Sequence, residues 1–407
     1  MMKRPLFAAV TALLLAANGP APAPEALLSP ADIELTAAEK AEIALGLKPD
    51  AWFVAQLRGP RERIDGQLLN PKTQFLAERS RERGADSEAD LLAAFDTPEK
   101  RAKIRASVDR EWRIHTALTA DMASVRDAVV PGRGGPIAVR VYRPVTTRDG
   151  PLPVLVYYHG GGFLFGSITA MDRVARLIAN EADSIVVSVD YRLAPEHPFP
   201  APQDDAEDAF LWARDHAAEW GGDPARVGVG GDSAGGHLAL VTSLRQRAAG
   251  RPVPAYQLLY YPAVTLDQSD PSYRLFGTGY DLDIPFVKAA IRLAFPDPAT
   301  HSAPGAWVLA EKSLAGMPAT IVATAGFDPL RDQGRELARR LERDGVSVTY
   351  LNYASLSHSF LNWSGLVDDA RHAATVTAAL FGDAIRSRDV AALQTSRGAP
   401  PAVRGRP

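Results

Sequence analysis

Residues 227–236 read Val-Gly-Val-Gly-Gly-Asp-Ser-Ala-Gly-Gly, and the run from His237 to Ala248 that follows carries helix formers with apolar residues at Leu238, Leu240, Val241 and Leu244. This is the pattern of a short buried strand turning at once into a helix. The spacing Gly231-x-Ser233-x-Gly235 needs such a turn, because the turn lifts the Ser233 hydroxyl off the top of a sheet. Glycines belong two residues either side, since side chains there would collide across the bend. Ser233 is therefore the candidate nucleophile, and the fold it implies has a parallel sheet with helices between strands.

A nucleophilic serine needs fixed donors for the charge that develops on the substrate oxygen, each worth ~3 to 4 kcal/mol by the effect of its removal. His159-Gly160-Gly161-Gly162 follows the apolar run Val154-Leu155-Val156-Tyr157-Tyr158, at the C-terminal end of a predicted strand. Three glycines leave backbone N–H groups unshielded and let them approach a ligand closely. The competing reading is a phosphate-cradling loop, but neither a Lys-Ser/Thr pair nor a second spaced glycine pattern follows.

The base and its orienting acid are expected in the chain order Ser, Asp, His. Beyond Ser233 and His237 the histidines are His301 in a Pro-rich stretch, His372 in a predicted terminal helix, and His358. His358 follows the strand-like run Val346 to Leu351, in a short polar loop before Phe360, and is the candidate general base. For the acid, the buried run Ala319 to Ala325 ends in Gly326-Phe327-Asp328-Pro329-Leu330, which puts Asp328 on the catalytic edge of the sheet. Asp332 competes for the role, with a helix-start or salt-bridge position as its plainer reading.

These motifs, with the run Val189-Asp190-Tyr191-Arg192-Leu193-Ala194-Pro195-Glu196-His197-Pro198-Phe199-Pro200-Ala201 and Asp328-Pro329-Leu330-Arg331-Asp332, resemble the bacterial hormone-sensitive-lipase family of α/β-hydrolases, in the branch whose elbow reads Gly-Asp-Ser-Ala-Gly. The resemblance extends from about Val125 to Leu380. It implies an α/β-hydrolase fold with a helical cap, and carboxylic ester hydrolysis, usually of short or medium acyl chains, without metal or cofactor. It further implies Ser233, Asp328 and His358 as the triad and the N–H groups of Gly161, Gly162 and Ala234 as the oxyanion hole. Two departures stand out. His237 occupies the family's usual Asn position, and the base segment Tyr353-Ala354-Ser355-Leu356-Ser357-His358-Ser359-Phe360 replaces the glycines of Tyr-Pro-Gly-x-x-His-Gly-Phe. The second implies a differently shaped base loop, whereas His237 reads as a packed or surface helix residue.

Phe163, Phe165 and Tyr191 are candidates for an apolar substrate pocket, with core packing as the alternative. Asp190, Arg192 and Glu196 are expected to tie the Pro-rich loop together through charge-assisted hydrogen bonds. If His358 is the base, activity should decline as pH drops through its pKa, at roughly 6 to 7.

The chain has 407 residues, more than a catalytic domain of this type needs. Met1-Met2-Lys3-Arg4 and the apolar stretch Leu6 to Ala17 read as a signal peptide over residues 1–23, too short to span a membrane, which predicts export to the periplasm or medium. Residues 30–124 read as a helical N-terminal cap lacking strand alternation, residues 125–385 as the catalytic domain, and residues 266–304 as a second cap contribution. The tail, residues 387–407, is rich in Ala, Arg and Pro and is expected to be disordered. Predicted strands are Ile137 to Tyr142, Val154 to Tyr158, Ser184 to Val189, Arg226 to Gly230, Gln257 to Tyr260, Thr320 to Ala325 and Val346 to Leu351. Helices between them imply right-handed crossovers and a mostly parallel sheet.

A net charge of −3 with scattered signs argues against nucleic acid or an anionic membrane as a partner, and no Cys or His cluster has metal-ligand spacing. The expected partner is a small-molecule ester, with a homodimer as a further option. An amidase or peptidase using the same triad is the nearest rival, and a noncatalytic binding protein on the same fold is a more distant one.

Overall fold

The computed structural model describes residues 33–303 and 306–387. The predicted signal peptide and all of the predicted tail beyond Ser387 lie outside the described residues.

Eight strands form one sheet: β1 (Met122–Gly132), β2 (Gly135–Pro144), β3 (Leu152–Tyr158), β4 (Ile185–Asp190), β5 (Gly222–Asp232), β6 (Gln257–Tyr260), β7 (Thr320–Phe327) and β8 (Val348–Ser357). Their spatial order is β8-β7-β6-β5-β3-β4-β2-β1. β8 through β4 are parallel, and the β4–β2 and β2–β1 pairs are antiparallel. From β3 the chain steps to β4 on one side and then builds β5 to β8 on the other. A crevice therefore opens between the C-terminal ends of β3 and β5, where the strand order reverses and ligands bind in open α/β sheets.

β3, β6 and β7 are buried at every residue, as strands covered on both faces must be. The cover comes from α6 (Asp172–Ala182) packed with α12 (Asp368–Arg386), and from α7 (Ala201–His216) packed with α8 (Ala234–Ala248); α11 (Arg331–Arg343) packs on β7 and β8. Close packing of sheet and helix explains a glycine with no turn to make: a Cβ at Gly382 of α12 would lie 2.2 Å from the Ala182 carbonyl oxygen at the end of α6.

Five helices precede the sheet: α1 (Ala37–Gly46), α2 (Asp50–Gln56), α3 (Pro71–Arg83), α4 (Glu88–Ala94) and α5 (Pro98–His115). Their starts follow the punctuation in the sequence, for Asn70 caps α3 and Thr97 caps α5 by side-chain bonds to backbone N–H groups, each with Pro at the first helical position. α9 (Pro271–Phe276) and α10 (Ile284–Ala294) lie in the 266–304 segment. α10 packs on α4, with Arg292 and Glu88 3.2 Å apart, and Tyr280 donates to Glu62 at 2.6 Å. The two expected cap pieces are thus in mutual contact.

Three expectations change. The N-terminal region is not free of strand: Arg63–Ile64 and Gln67–Leu68 form an antiparallel hairpin. Gln67 of that hairpin donates to the Gly326 carbonyl at 3.0 Å and accepts from Asn352 at 2.8 Å, so the hairpin docks at the ends of β7 and β8. The sheet also begins earlier than Val125, with β1 from Met122. β1 is an edge strand with little buried surface; Val129 is 61% exposed, so no apolar face marks it in the sequence. Finally, β8 continues to Ser357 across a register irregularity between Tyr353 and Ser357, where the sequence reads as a polar loop.

Candidate active site

Ser233 stands between β5 and α8 with φ +53° and ψ −116°, a conformation that costs a side-chain-bearing residue about 1 to 3 kcal/mol. The surroundings hold it there. Its N–H donates to the Tyr260 carbonyl at 2.9 Å, and its own carbonyl accepts from Ala263 at 3.1 Å and His237 at 3.2 Å. The glycines of the elbow are there for space: a Cβ at Gly231 would lie 2.4 Å from the Gly235 carbonyl carbon, and one at Gly235 would lie 1.9 Å from the Tyr158 carbonyl oxygen.

His358 follows the end of β8, and its Nε2 accepts from Ser233 Oγ at 3.0 Å. On the other side of the ring Nδ1–H donates to Asp328 Oδ2 at 2.8 Å. This pair of partners fixes the imidazole tautomer with a lone pair facing the serine. Asp328 is fully buried just beyond β7, and its second oxygen accepts from the Leu330 N–H at 2.8 Å. Asp332 does not reach the imidazole. It pairs with Arg331 at 2.9 Å and Arg335 at 3.1 Å and accepts from the Ser272 N–H at 3.0 Å, the salt-bridge position that was its plainer reading.

Ser359, where the resembled family has glycine, adopts φ +57° and ψ 22°. Glycine takes this left-handed conformation freely, whereas a serine there carries roughly 1 to 2 kcal/mol of strain. The replacement therefore leaves His358 within reach of Ser233.

The glycine loop after β3 faces the elbow. Gly161 and Gly162 have φ of +107° and +61°, and a Cβ on Gly161 would lie 2.2 Å from the Phe165 carbonyl oxygen. Ala234 is the first residue of α8, so its N–H belongs to the positive end of a helix. Gly161, Gly162 and Ser233 line one cavity of about 540 Å³ with His358.

Asp232, only a filler in the sequence motif, couples the two loops. Its Oδ1 accepts from the Gly160 N–H at 2.9 Å and from the Tyr157 hydroxyl at 2.7 Å. Burial raises its pKa to about 6, against the hydrogen bonds from Tyr157 and Gly160 that favour the charged form. The signal for it in the sequence is the Asp beside the nucleophile, whose role appears only once β3 and β5 are seen to be neighbours.

Of the three aromatic pocket candidates, Phe165 lines the cavity. The other two belong to the core. Tyr191 stacks on His159 with ring centroids 4.3 Å apart and donates to the His159 carbonyl at 2.7 Å, bracing the start of the glycine loop. Phe163 meets the edges of His237 and Phe295 at 5.4 and 5.6 Å. His237 is packed, as its plain reading had it: burial depresses its pKa to about 3, so the ring is neutral and fills space between Phe163 and Trp307.

The polar residues of the Pro-rich run work differently from expectation. They tie the run to other elements. Arg192 pairs with Asp205 of α7 at 2.7 Å, Glu196 pairs with Arg101 and Arg105 of α5 at 2.7 and 2.8 Å, and Asp190 accepts from the Ile168 N–H at 3.3 Å.

Segment 155–362 of the chain matches the family model described as alpha/beta hydrolase fold. The chain belongs to the alpha/beta hydrolase family. It is similar to the carboxylic ester hydrolase LipN of Mycobacterium tuberculosis, 40% identical over 311 residues, covering 74% of this chain and 78% of that one. The carboxylesterase NlhH of the same organism is 43% identical over 240 residues, 58% of this chain and 75% of that one. Among solved structures, the ester-hydrolase EH1AB1 from the metagenome of Lake Arreo superimposes with a TM-score of 0.72 at 36% identity, over 78% of this hydrolase and all of that chain. These likenesses agree with the resemblance to the hormone-sensitive-lipase branch carried by the motifs.

The electrostatics of His358 set a pH dependence. Burial alone would push its pKa down, but the charge and hydrogen bond of Asp328 outweigh that and raise it above the ordinary histidine value. With His358 as the base it must be neutral, so kcat/KM is expected to fall as pH drops through a value above the ordinary histidine value of 6.5. A pH profile of ester hydrolysis from pH 5 to 9 checks this, and a half-maximum below 6.5 would contradict it.

Proposed function

We propose that this hydrolase cleaves carboxylic esters in two steps through an acyl-enzyme on Ser233. The observation that carries the reading is His358, which lines one cavity with Ser233 and is bonded at 3.0 Å to Ser233 Oγ and at 2.8 Å to the buried Asp328. The names of its relatives, carboxylic ester hydrolase and carboxylesterase, support the substrate class.

In the first step Ser233 Oγ bonds to the ester carbonyl carbon as its proton passes to His358 Nε2. The carbonyl oxygen becomes an oxyanion held by the N–H groups of Gly161, Gly162 and Ala234. Collapse breaks the bond to the alcohol oxygen, which takes the proton from His358 and leaves. Water then attacks the acyl carbon, gives its proton to the same nitrogen, and Ser233 recovers that proton as the acid departs. Asp328 holds the ring in one tautomer and stabilises the imidazolium. Asp232 positions the glycine loop through Gly160.

The helices ahead of β1 and the 266–304 segment act in this reading as a cap. Trp112 of α5 and Phe286 of α10 line the cavity with the catalytic residues, and enclosure of that kind excludes water and strengthens the site's electrostatics. None of the described helices is long and apolar enough to cross a membrane. The basic and apolar pattern of residues 1–23 supports export of the enzyme.

A cavity of about 540 Å³ is of the size that takes a small organic ligand. Hydrolysis of p-nitrophenyl esters is therefore expected to peak between acetate and octanoate and to fall steeply at palmitate. The matching p-nitroanilides should be cleaved far more slowly, since their leaving group needs protonation that an ester's does not. Anilide rates equal to ester rates would favour the amidase reading.

A further inference from the structure

The strand pair that carries the acid and the base loses its regular ladder just before it reaches them. Tyr353 of β8 pairs with Ala325 of β7 and Ser357 with Phe327, so residues 354–356 stand opposite Gly326 alone. Extra residues of this kind bend a strand and leave its ladder locally disrupted. Asp328 comes directly after β7 and His358 directly after β8. Main-chain pairing therefore does not by itself fix the spacing of the two arms.

The N-terminal hairpin bridges this irregular stretch. Gln67 donates through Nε2 to the Gly326 carbonyl at 3.0 Å, and its Oε1 accepts from Asn352 Nδ2 at 2.8 Å, so one half-buried side chain holds both arms. The fit is close: a Cβ at Gly326 would lie 2.5 Å from the Ala354 carbonyl oxygen and 2.6 Å from Gln67 Oε1. Further ties surround it. Asp65 at the hairpin turn pairs at 2.8 Å with Arg331, which also donates to the Gly326 carbonyl at 3.3 Å. The Asn70 N–H donates to the Ser355 carbonyl at 2.8 Å, and Asp369 of α12 accepts from Ser355 Oγ at 2.6 Å and from Asn70 Nδ2 at 3.2 Å. Phe327, the residue before Asp328, is buried in a small apolar cluster whose other buried members are Leu69, Phe276 and Tyr280, all from the two cap pieces.

We infer that Gln67 is a positioning residue of the hydrolysis, holding the ends of β7 and β8 at the spacing that lets Asp328 orient His358 toward Ser233. This rests on the esterase reading above and adds a residue that its site requires.

Gln67→Met tests it, since methionine keeps the length of the side chain and loses both bonds. With p-nitrophenyl acetate, and with active sites counted by complete phosphonylation of Ser233, kcat and kcat/KM should fall together by on the order of tenfold, because small misplacements of a catalytic group cost rate steeply. The His358 pKa, followed by NMR of its ring protons and assigned by their absence in His358→Asn, should also fall. Burial lowers that pKa, while Asp328, Asp281 of the cap and Asp232 of the elbow raise it; of these three, Asp328 is the one hydrogen-bonded to the ring, so a slackened bond removes support that the others do not replace. Asn352→Ala, at an exposed position, removes one of the two bonds and should move both quantities the same way by less. Thr97→Ala, which uncaps α5 and weakens the N-terminal region without touching either arm, should move neither. Wild-type values of either quantity in Gln67→Met would overturn the inference, as would equal changes in Thr97→Ala. If the wild type hydrolyses p-nitrophenyl acetate and Gln67→Met is unchanged, the positioning role fails alone. If the wild type is inert, the esterase reading fails, and the His358 pKa still decides whether Gln67 holds the pair.

Discussion

Replacing Ser233 by Ala is expected to lower kcat for p-nitrophenyl acetate by about 10⁴- to 10⁶-fold, the range seen when the nucleophile of a serine triad is removed. The size follows from what the residue does. Without Oγ no acyl-enzyme forms, and His358 and Asp328 have nothing to activate, so the three residues fail as a unit. What should survive is the proposed oxyanion hole and substrate binding, which still favour attack by water. The fold should survive as well. Ser233 is held by backbone bonds to Tyr260, Ala263 and His237 that alanine keeps, and its side chain bonds only to His358 among the described residues. An alanine at φ +53° carries the same backbone strain that serine does. Circular dichroism and a thermal melt matching the wild type, beside lost turnover, would establish Ser233 as the nucleophile. A variant that keeps more than about a hundredth of wild-type turnover would point to another nucleophile.

Much of this site is legible in the sequence because its chemistry imposes local rules. The elbow glycines, the glycine loop after a strand and the Ser-Asp-His order are demands of geometry within a few residues of each motif, and each of those residues lies where the pattern puts it. What the sequence hides is contact between distant segments. Tyr191 and Phe163 read as pocket residues because aromatic side chains beside a strand end are ambiguous. Their roles become definite only with His159 and His237 packed against them. Glu196 reads as part of its own loop, yet its partners Arg101 and Arg105 lie more than ninety positions earlier. β1 goes unread for a different reason: as an edge strand it buries little, so selection for an alternating apolar face is weak there.

The proposed acid of the triad gives the second large effect. Asp328→Asn should lower kcat by about 10⁴-fold, although it removes only a charge from an isosteric side chain. As a carboxylate, Asp328 accepts the Nδ1–H of His358 at 2.8 Å and leaves Nε2 free to take the proton of Ser233. An amide at that position can donate to Nδ1, which favours the tautomer with its proton on Nε2, pointing at a hydroxyl it can no longer deprotonate. The loss of charge also removes what holds the His358 pKa up against burial. The acid limb of the residual activity should therefore move to lower pH, a shift that misfolding would not produce. Asp332→Asn is the control, equally conservative and four residues away. Asp332 is buried and joined to Arg331 and Arg335, so its amide variant should lose about 1 to 3 kcal/mol of stability, moderated by the second bond of Arg331 to Asp65 at 2.8 Å. Its turnover should stay within a few-fold of wild type and its acid limb should not move, because none of its bonds reach the imidazole. Should the two variants lose turnover equally, the choice of Asp328 over Asp332 as the orienting acid would be refuted, and the bond at 2.8 Å would have to be assigned a structural role alone.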